Sequence, residues 1–421
     1  MNPFSQKPSP ISSTFESFCD LYPRPYDPKS VDPYTKCRII LMNGTEFEAV
    51  KFSHQMARHV SDPALRREIA MSRRTEQQQQ KKLSCLKPIS ETLLEHTIGY
   101  EQLAVDLTAH LAQRVQCVNV KNALDFALLE DFDHLFRYAG LLDMEAGEHA
   151  ERLVGRYTEI MPGRPTIAEH RFPKDGLPAA LGKDAPLFDV LAAMIITAAE
   201  QQTMNYYMNA APFYTSDLGR RLYQEIGMIE EQHVTQYEAL QSPEMTWLEC
   251  MLWHEYAECY LYWSCEQTET DPAIRRIWAR GLEQEIAHLH KAAQLLEQFE
   301  GRCWQQVIPG GEFPAPLRLE SNIPYVRRML CTAQLTFKDK NLVPVQTLEA
   351  ADPFFAYQDI VHKDTDSVAS HQVIEQHIAR FGQDYRFETA LHPVEPLRER
   401  RRDNTQVGRD PKIKGYTGPC A

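Results

Sequence analysis

EYAECYLYWSCEQTETDPAIRRIWARGLEQEIAH, residues 255–288, opens on a glutamate, breaks at Asp271-Pro272 and closes on Glu285-Ile286-Ala287-His288. Counting from Glu255 as position i, Glu285 stands at i+30 and His288 at i+33. The same two intervals recur in Glu46/Glu76/Gln79, Glu101/Asp131/His134 and Glu200/Glu230/His233. The step from Glu46 to Glu101 equals the step from Glu200 to Glu255, so the second half of the chain repeats the first at one constant offset, that from Glu46 to Glu200. Residues three apart share a helix face, so each carboxylate and the imidazole or amide after it address one point. If the break falls midway, an antiparallel hairpin brings the two carboxylates of each set level at about 1.5 Å per residue.

The duplication extends to positions that would bind nothing. Arg66-Arg67 aligns with Arg220-Arg221 at that offset, and Thr92, Leu94 and Glu95 align with Thr246, Leu248 and Glu249. Helix starts are signalled by Ser61-Asp62-Pro63, Ser216-Asp217 and Thr270-Asp271-Pro272, where a capping side chain precedes the first turn. Phe188 to Met208 shows apolar residues at helical rather than alternating period.

Proline and glycine divide the chain. Residues 1–40 hold Pro3, Pro8, Pro10, Pro23, Pro25, Pro28 and Pro33, which predicts an irregular N-terminal arm. Residues 41–160 form the earlier pair of hairpins. Residues 161–186, with five prolines and three glycines, form a long linker. Residues 187–300 form the later pair, and 301–421 a mixed extension with one helix near Ser370 to Phe381. The Gln77 to Gln80 run reads as a solvated helix face, and Arg400 to Arg402 as a surface or tail feature.

Composition narrows the function. A net charge of −13 argues against broad binding to nucleic acid or anionic membranes. No apolar stretch reaches the roughly 20 residues of a membrane span, and the N-terminus does not read as a signal peptide. A soluble, cytoplasmic protein is the expectation. The ten cysteines include no Cys-x-x-Cys pair, so reduced thiols are expected and no rubredoxin-type iron site is visible.

The intact sets Glu200, Glu230, His233 and Glu255, Glu285, His288 offer four carboxylates and two imidazoles. One Glu from each of two helices and a Glu-x-x-His from each of the other two is the ligand set of di-iron and di-manganese carboxylate proteins. Hard carboxylates with imidazoles suit iron or manganese. Residues 187–300 resemble the rubrerythrins of the ferritin-like superfamily. The resemblance rests on those six residues, on Glu255-Tyr256-Ala257-Glu258, and on Tyr207, seven positions after Glu200. It implies an all-α fold of tandem ferritin-like four-helix bundles, and two iron ions, with manganese as the substitute. It further implies a mobile carboxylate at Glu258 and a tyrosine beside the metals at Tyr207, both catalytic, with peroxide or dioxygen as the oxidant. Without a rubredoxin-like module, electrons would come from an external donor protein. A homo-oligomer is compatible with this reading. So are two other functions: a ferritin-like oxygenase acting on an organic substrate, and a non-catalytic metal-binding protein.

The earlier half departs from the pattern. Gln79 replaces a histidine, Asp131 shortens a glutamate, Ser53 stands where Tyr207 would align and Ala104 where Glu258 would. It reads as a decayed scaffold. The stretch from His233 to Glu255 is too short for the long crossover usual in the family. Two arrangements satisfy that constraint. Either the third and fourth hairpins face each other, which is the expectation adopted, or hairpins are exchanged. Exchange would group Glu101, Asp131, His134, Glu200, Glu230 and His233, leaving Glu46, Glu76, Gln79, Glu255, Glu285 and His288 as the other site.

Overall fold

Helices begin where the sequence places caps. In the computed structural model, which describes residues 1–165, 169–382, 386, 392–394 and 397–398, helix accounts for 65% of the chain and strand for 2%, an all-α protein. Eight long helices form four hairpins among the described residues. They are α1 (Pro33–His59) with α2 (Pro63–Ser84), α3 (Leu93–Ala112) with α4 (Val118–Ala146), α5 (Leu187–Ala210) with α6 (Asp217–Glu238), and α7 (Trp247–Thr268) with α8 (Pro272–Glu300). Asp62 accepts from the Ala64 and Leu65 amides, Ser216 from Gly219, and Asp271 from Ala273 and Ile274. Thr92/Glu95 and Thr246/Glu249, aligned at the sequence offset, are matching capping boxes at the starts of α3 and α7.

The chain packs as two interleaved units rather than in sequential order. The first comprises Met1–Glu91, Leu181–Gln202 and Gln241–Leu319; the second comprises Thr92–Ala180, Thr203–Leu240 and Glu320–Ala421. The expected sequential domains, 41–160 and 187–300, are therefore corrected: α1/α2 belongs with α7/α8, and α3/α4 with α6 and the end of α5 from Thr203. The physical reason lies in the connections. Two hairpins side by side need one long link between them, and 161–186 is the long link, joining α4 to α5. The short link of 239–246 ends one unit's hairpin and begins the other's. Helix α5 runs through the division: its residues up to Gln202, Glu200 among them, fall in the first unit and those from Thr203 in the second.

In the first unit Glu269, at the end of α7, receives Thr35 Oγ1 at 2.6 Å, Arg38 Nε at 2.9 Å and Trp278 Nε1 at 3.0 Å. One buried carboxylate thus ties α1 to both helices of the fourth hairpin. Glu269→Ala would leave Arg38 buried without its counter-ion, and a loss of about 3 kcal/mol is expected from the denaturation midpoint. The expected arm does not extend to residue 40: Asp32 caps α1 and Pro33 begins it. Residues before it pack on this unit, with Phe4 stacked on Trp304 at 3.8 Å and Thr14 bonded to Thr75 at 2.8 Å. The Gln77 to Gln80 run is not a solvated face either. Gln78 exchanges hydrogen bonds with the Glu16 backbone and Gln79 bonds Glu285, and both are buried.

In the second unit the linker contributes to the core. The Gly163 amide donates to Asp133 at 2.8 Å, and the buried Arg164 guanidinium donates to the Ala333 and Leu335 carbonyls at 3.1 and 2.6 Å. A two-stranded antiparallel hairpin follows at Leu335–Lys338 and Asn341–Pro344. A helix at Ala369–Phe381, as the sequence predicts, packs on α4 and α6. Arg400 to Arg402 lie outside the described residues. No helix among the described residues is long and apolar enough to cross a membrane. Among the described residues eight cysteines are free thiols, but Cys331 is disulfide-bonded, so the expectation of reduced thiols fails there.

Candidate metal centres

Each unit gathers acids and imidazoles at the middle of its helices. In the first, Glu46 comes from α1, Glu76 and Gln79 from α2, Glu255 and Glu258 from α7, and Glu285 and His288 from α8. Two groups of potential ligand atoms lie within 4.8 Å of one another: Glu76, Glu255, Glu285 and His288, and Glu46, Glu76 and Glu258. The other two groups are Asp131, Glu200, Glu230 and His233, and Glu101, His134 and Glu230; all but Glu200 belong to the second unit. All of these residues are buried. In each unit one glutamate belongs to both groups, Glu76 in the first and Glu230 in the second.

The six residues expected to form one site are therefore divided. Glu200, Glu230 and His233 stand with Glu101, Asp131 and His134, while Glu255, Glu285 and His288 stand with Glu46, Glu76 and Gln79. This is the exchanged arrangement, not the one expected. It also overturns the reading of the earlier half as a decayed scaffold, because each of its hairpins supplies half of a centre. The set that shares Glu230, four carboxylates and two imidazoles, is complete. The first unit's set has five carboxylates and one imidazole, with Glu258 added and Gln79 in a histidine's place.

The local electrostatics follow from this crowding. In the first unit His288 Nδ1 lies 3.1 Å from Glu285, 3.3 Å from Glu76 and 3.7 Å from Glu255. Burial opposes its charge, yet Glu285 and its neighbours hold the imidazole well above its usual range. Burial, then repulsion from Glu76 and Glu285, pushes the Glu258 carboxyl well up. Neither Glu258 oxygen has a hydrogen-bond partner, although the residue is 2% exposed. A buried carboxylate without a donor is costly, and a bound cation would offset that cost. The donor set thus fits a metal pair.

In the second unit His134 Nδ1 lies 3.1 Å from Glu230 and 4.0 Å from Glu101. Burial and then the neighbouring His233 push the His134 imidazole down to about 3, leaving it neutral with a lone pair to give. His233 directs Nδ1 at Glu230 and Asp131, at 2.9 and 3.3 Å, and Nε2 at Glu130, at 2.6 Å. Glu130 is 3.6 Å from Arg171. Although burial pushes the Glu130 carboxyl up, Arg171 and the His233 hydrogen bond hold it below its usual range. An ionised carboxylate behind a ligating histidine fixes its ring and raises its basicity.

Tyr207 donates to Glu101, and burial followed by that charge raises its phenol well above the usual range. Tyr262 donates to Glu46 in the same way. The sequence reading passed over Tyr262, yet it follows Glu255 by seven positions as Tyr207 follows Glu200. Applying one spacing to both halves would have found it. Gly281 on α8 gives the Tyr262 ring its room, since a Cβ there would collide with the ring. Glu130 carried no comparable signal. His254, expected beside the ligand face, is half-buried and bonded to Glu48 at 2.7 Å, and His290 approaches the Pro3 carbonyl at 3.3 Å.

Space beside the first centre is small. One cavity of about 10 Å³ touches Arg73, Glu76, His254, Glu255 and Glu258, and another of about 20 Å³ touches Thr45, Glu48, His254 and Glu258. Each has room for about one water-sized molecule. A far larger cavity, about 630 Å³, lies in the second unit between α6 and residues 353–369. It is lined by Arg221, Gln224, Met228 and Gln232 of α6. Met228 is two positions from Glu230, about 200° around the helix, so this face turns away from the centre. No protein-family model, curated protein or solved structure matches this chain.

Proposed function

We propose that each unit holds a carboxylate-bridged pair of iron or manganese ions, and that the protein is a rubrerythrin-like oxidoreductase built from two ferritin-like four-helix bundles with exchanged hairpins. The observation that carries this reading is the shared glutamate. In both units two ligand groups overlap on one residue, Glu76 or Glu230, the position a bridging carboxylate would occupy. Carboxylates and imidazoles without thiolates favour iron or manganese. Such a pair, when bound, supplies one-electron redox changes and Lewis acidity toward an oxygen-containing substrate.

The chain's own residues prepare the site for a small oxidant. Cavities of about 10 Å³ and about 20 Å³ at Glu258 admit a molecule the size of hydrogen peroxide or dioxygen and exclude an organic substrate. Glu258, buried without a donor, is free to turn toward or away from the Glu46/Glu76 group as charge there changes. Tyr207 and Tyr262 hold Glu101 and Glu46 in place and keep a proton beside each centre. The large cavity on the far face of α6 gives little support to an oxygenase. Electrons for turnover come from an external donor protein.

The test is anaerobic iron loading followed by metal counting and separate addition of peroxide and oxygen. About four ions per chain are expected, two for each pair of overlapping groups. Faster oxidation by peroxide than by oxygen is the expected spectral result. Faster oxidation by oxygen, with turnover of an organic compound, would favour the oxygenase. Tight binding with no reaction toward either would leave a metal-binding protein.

A further inference from the structure

We propose that Tyr207, Tyr223 and Tyr214 form a one-electron relay between the second unit's centre and the protein surface. The inference rests on reading that centre as a redox-active metal pair. Tyr207 touches the centre through its hydrogen bond to Glu101 and is fully buried. Its ring centroid lies 5.6 Å from that of Tyr223, also fully buried, and Tyr223 lies 5.1 Å from Tyr214. Tyr214 is half-buried, and its hydroxyl reaches Glu145 at 2.6 Å in an exposed hydrogen bond. Three rings in succession thus connect a buried ligand to solvent. A side exit exists through Tyr206, half-buried and 5.7 Å from Tyr207.

Phenols suit this task because they give up one electron reversibly when their proton has an acceptor nearby. Tyr207 and Tyr214 each have one, Glu101 and Glu145, while Tyr223, bonded to the Thr97 hydroxyl at 2.7 Å, keeps its proton and its ring bridges the other two. Tyr207 would pass one electron toward an oxidised metal pair held there, while its proton moves along the hydrogen bond to Glu101. Tyr214 then passes an electron through the intervening Tyr223 ring to the Tyr207 radical, which takes its proton back from Glu101. The Tyr214 proton moves to Glu145, returning when a diffusible one-electron reductant refills Tyr214. The net change is one electron from reductant to metal pair, with every protein bond restored. The first unit has a different arrangement: its Tyr262 leads to Trp278, at 6.2 Å, which is fully buried. The relay makes the second centre the one that is refilled from outside.

The test uses the full chain and the double variant Tyr206→Phe/Tyr214→Phe, which closes both exits without touching a metal ligand or Tyr207. In the iron-loaded, peroxide-oxidised protein, re-reduction of the second centre by ascorbate should slow on the order of tenfold or more, with metal content and the rate of oxidation unchanged. Freeze-quench electron paramagnetic resonance should show a tyrosyl signal in the wild type that Tyr207→Phe removes. A second arm needs no metal. Flash oxidation of the metal-free protein with a ruthenium tris-bipyridyl sensitiser should give a long-lived radical on Tyr207. In the double variant the radical should stay at the surface and decay on the order of tenfold faster. Equal re-reduction rates together with equal radical lifetimes would overturn the relay. If the wild type binds no metal, the proposed function fails, and the metal-free arm alone decides the relay.

Discussion

Glu230→Ala is expected to empty the second unit's centre and leave the first unit's filled. Glu230 is the one residue common to both of that unit's ligand groups, so its removal takes a ligand from each position at once. Metal analysis after anaerobic loading should fall from about four ions per chain to about two. Glu76→Ala should do the same to the first centre. The double variant should bind almost none. The contrast that matters is with Glu285→Ala, which lies in one group of the first unit and should cost that unit's His288-side ion most. Had the third and fourth hairpins faced each other, Glu230→Ala and Glu285→Ala would damage the same site, and their effects on metal content would not add. Additive losses from Glu230→Ala and Glu76→Ala therefore test the exchange itself. Retention of all ions in Glu230→Ala would sink the bridging assignment.

Chelation is expected to lower the melting temperature, and to lower it more as pH rises. Ions bound a thousandfold above their dissociation constant stabilise by about 4 kcal/mol each, which corresponds to roughly 10 °C or more for units of this size. The pH dependence follows from the first unit's carboxyls. Burial and then repulsion from their neighbours place Glu46, Glu255 and Glu258 well above the usual carboxylate value of 4.5. The metal-free folded protein therefore holds protons that the unfolded chain has released. Its stability is greatest at or below the usual carboxylate range and declines as pH rises toward the raised values. His288 acts in the same direction, because its pKa is also raised: its contribution is complete below 6.5 and lost as pH climbs through the raised value. Metal binding needs those groups deprotonated, so the ions stabilise most where the metal-free protein is weakest. Calorimetry with and without chelator across the neutral range should show the gap widening with pH. A gap that narrows would contradict both the burial of these acids and their role as ligands.

Much of the helical framework was legible because its signals are local. Asp62, Ser216 and Asp271 cap the helices that the sequence assigns them, and Thr92/Glu95 and Thr246/Glu249 form the same box twice. The carboxylate and imidazole positions were legible too, since the short step from Glu285 to His288 on a helix and the long step from Glu255 to Glu285 across a turn are fixed by geometry within one hairpin. Gln79 misled the reading in one respect. As a poor ligand it suggested decay, whereas in the fold it bonds Glu285 while Glu258 adds a further carboxylate. Glu130, Arg171, the partner of Tyr207 and the rings beyond it could not be read at all. Their contacts, Arg171 to Gln236, Glu130 to His233 and Tyr207 to Glu101, join distant parts of the chain with no shared spacing.

By itself the sequence determined that this chain is helical, that it contains four similar hairpins, and which residues on each could meet a cation. Those properties depend on interactions within a turn or across one hairpin, where periodicity and capping act directly. Which hairpin faces which was decided only by the tertiary structure. Every hairpin presents the same acidic face, so the repeat is satisfied equally well by either pairing. The choice falls to long-range terms: the length of 161–186, the burial of Arg164 against the Ala333 and Leu335 carbonyls, and Glu269 tying α1 to α7 and α8. Those contacts place an intact hairpin beside each one that the sequence alone presents as decayed, and so give the chain two candidate centres.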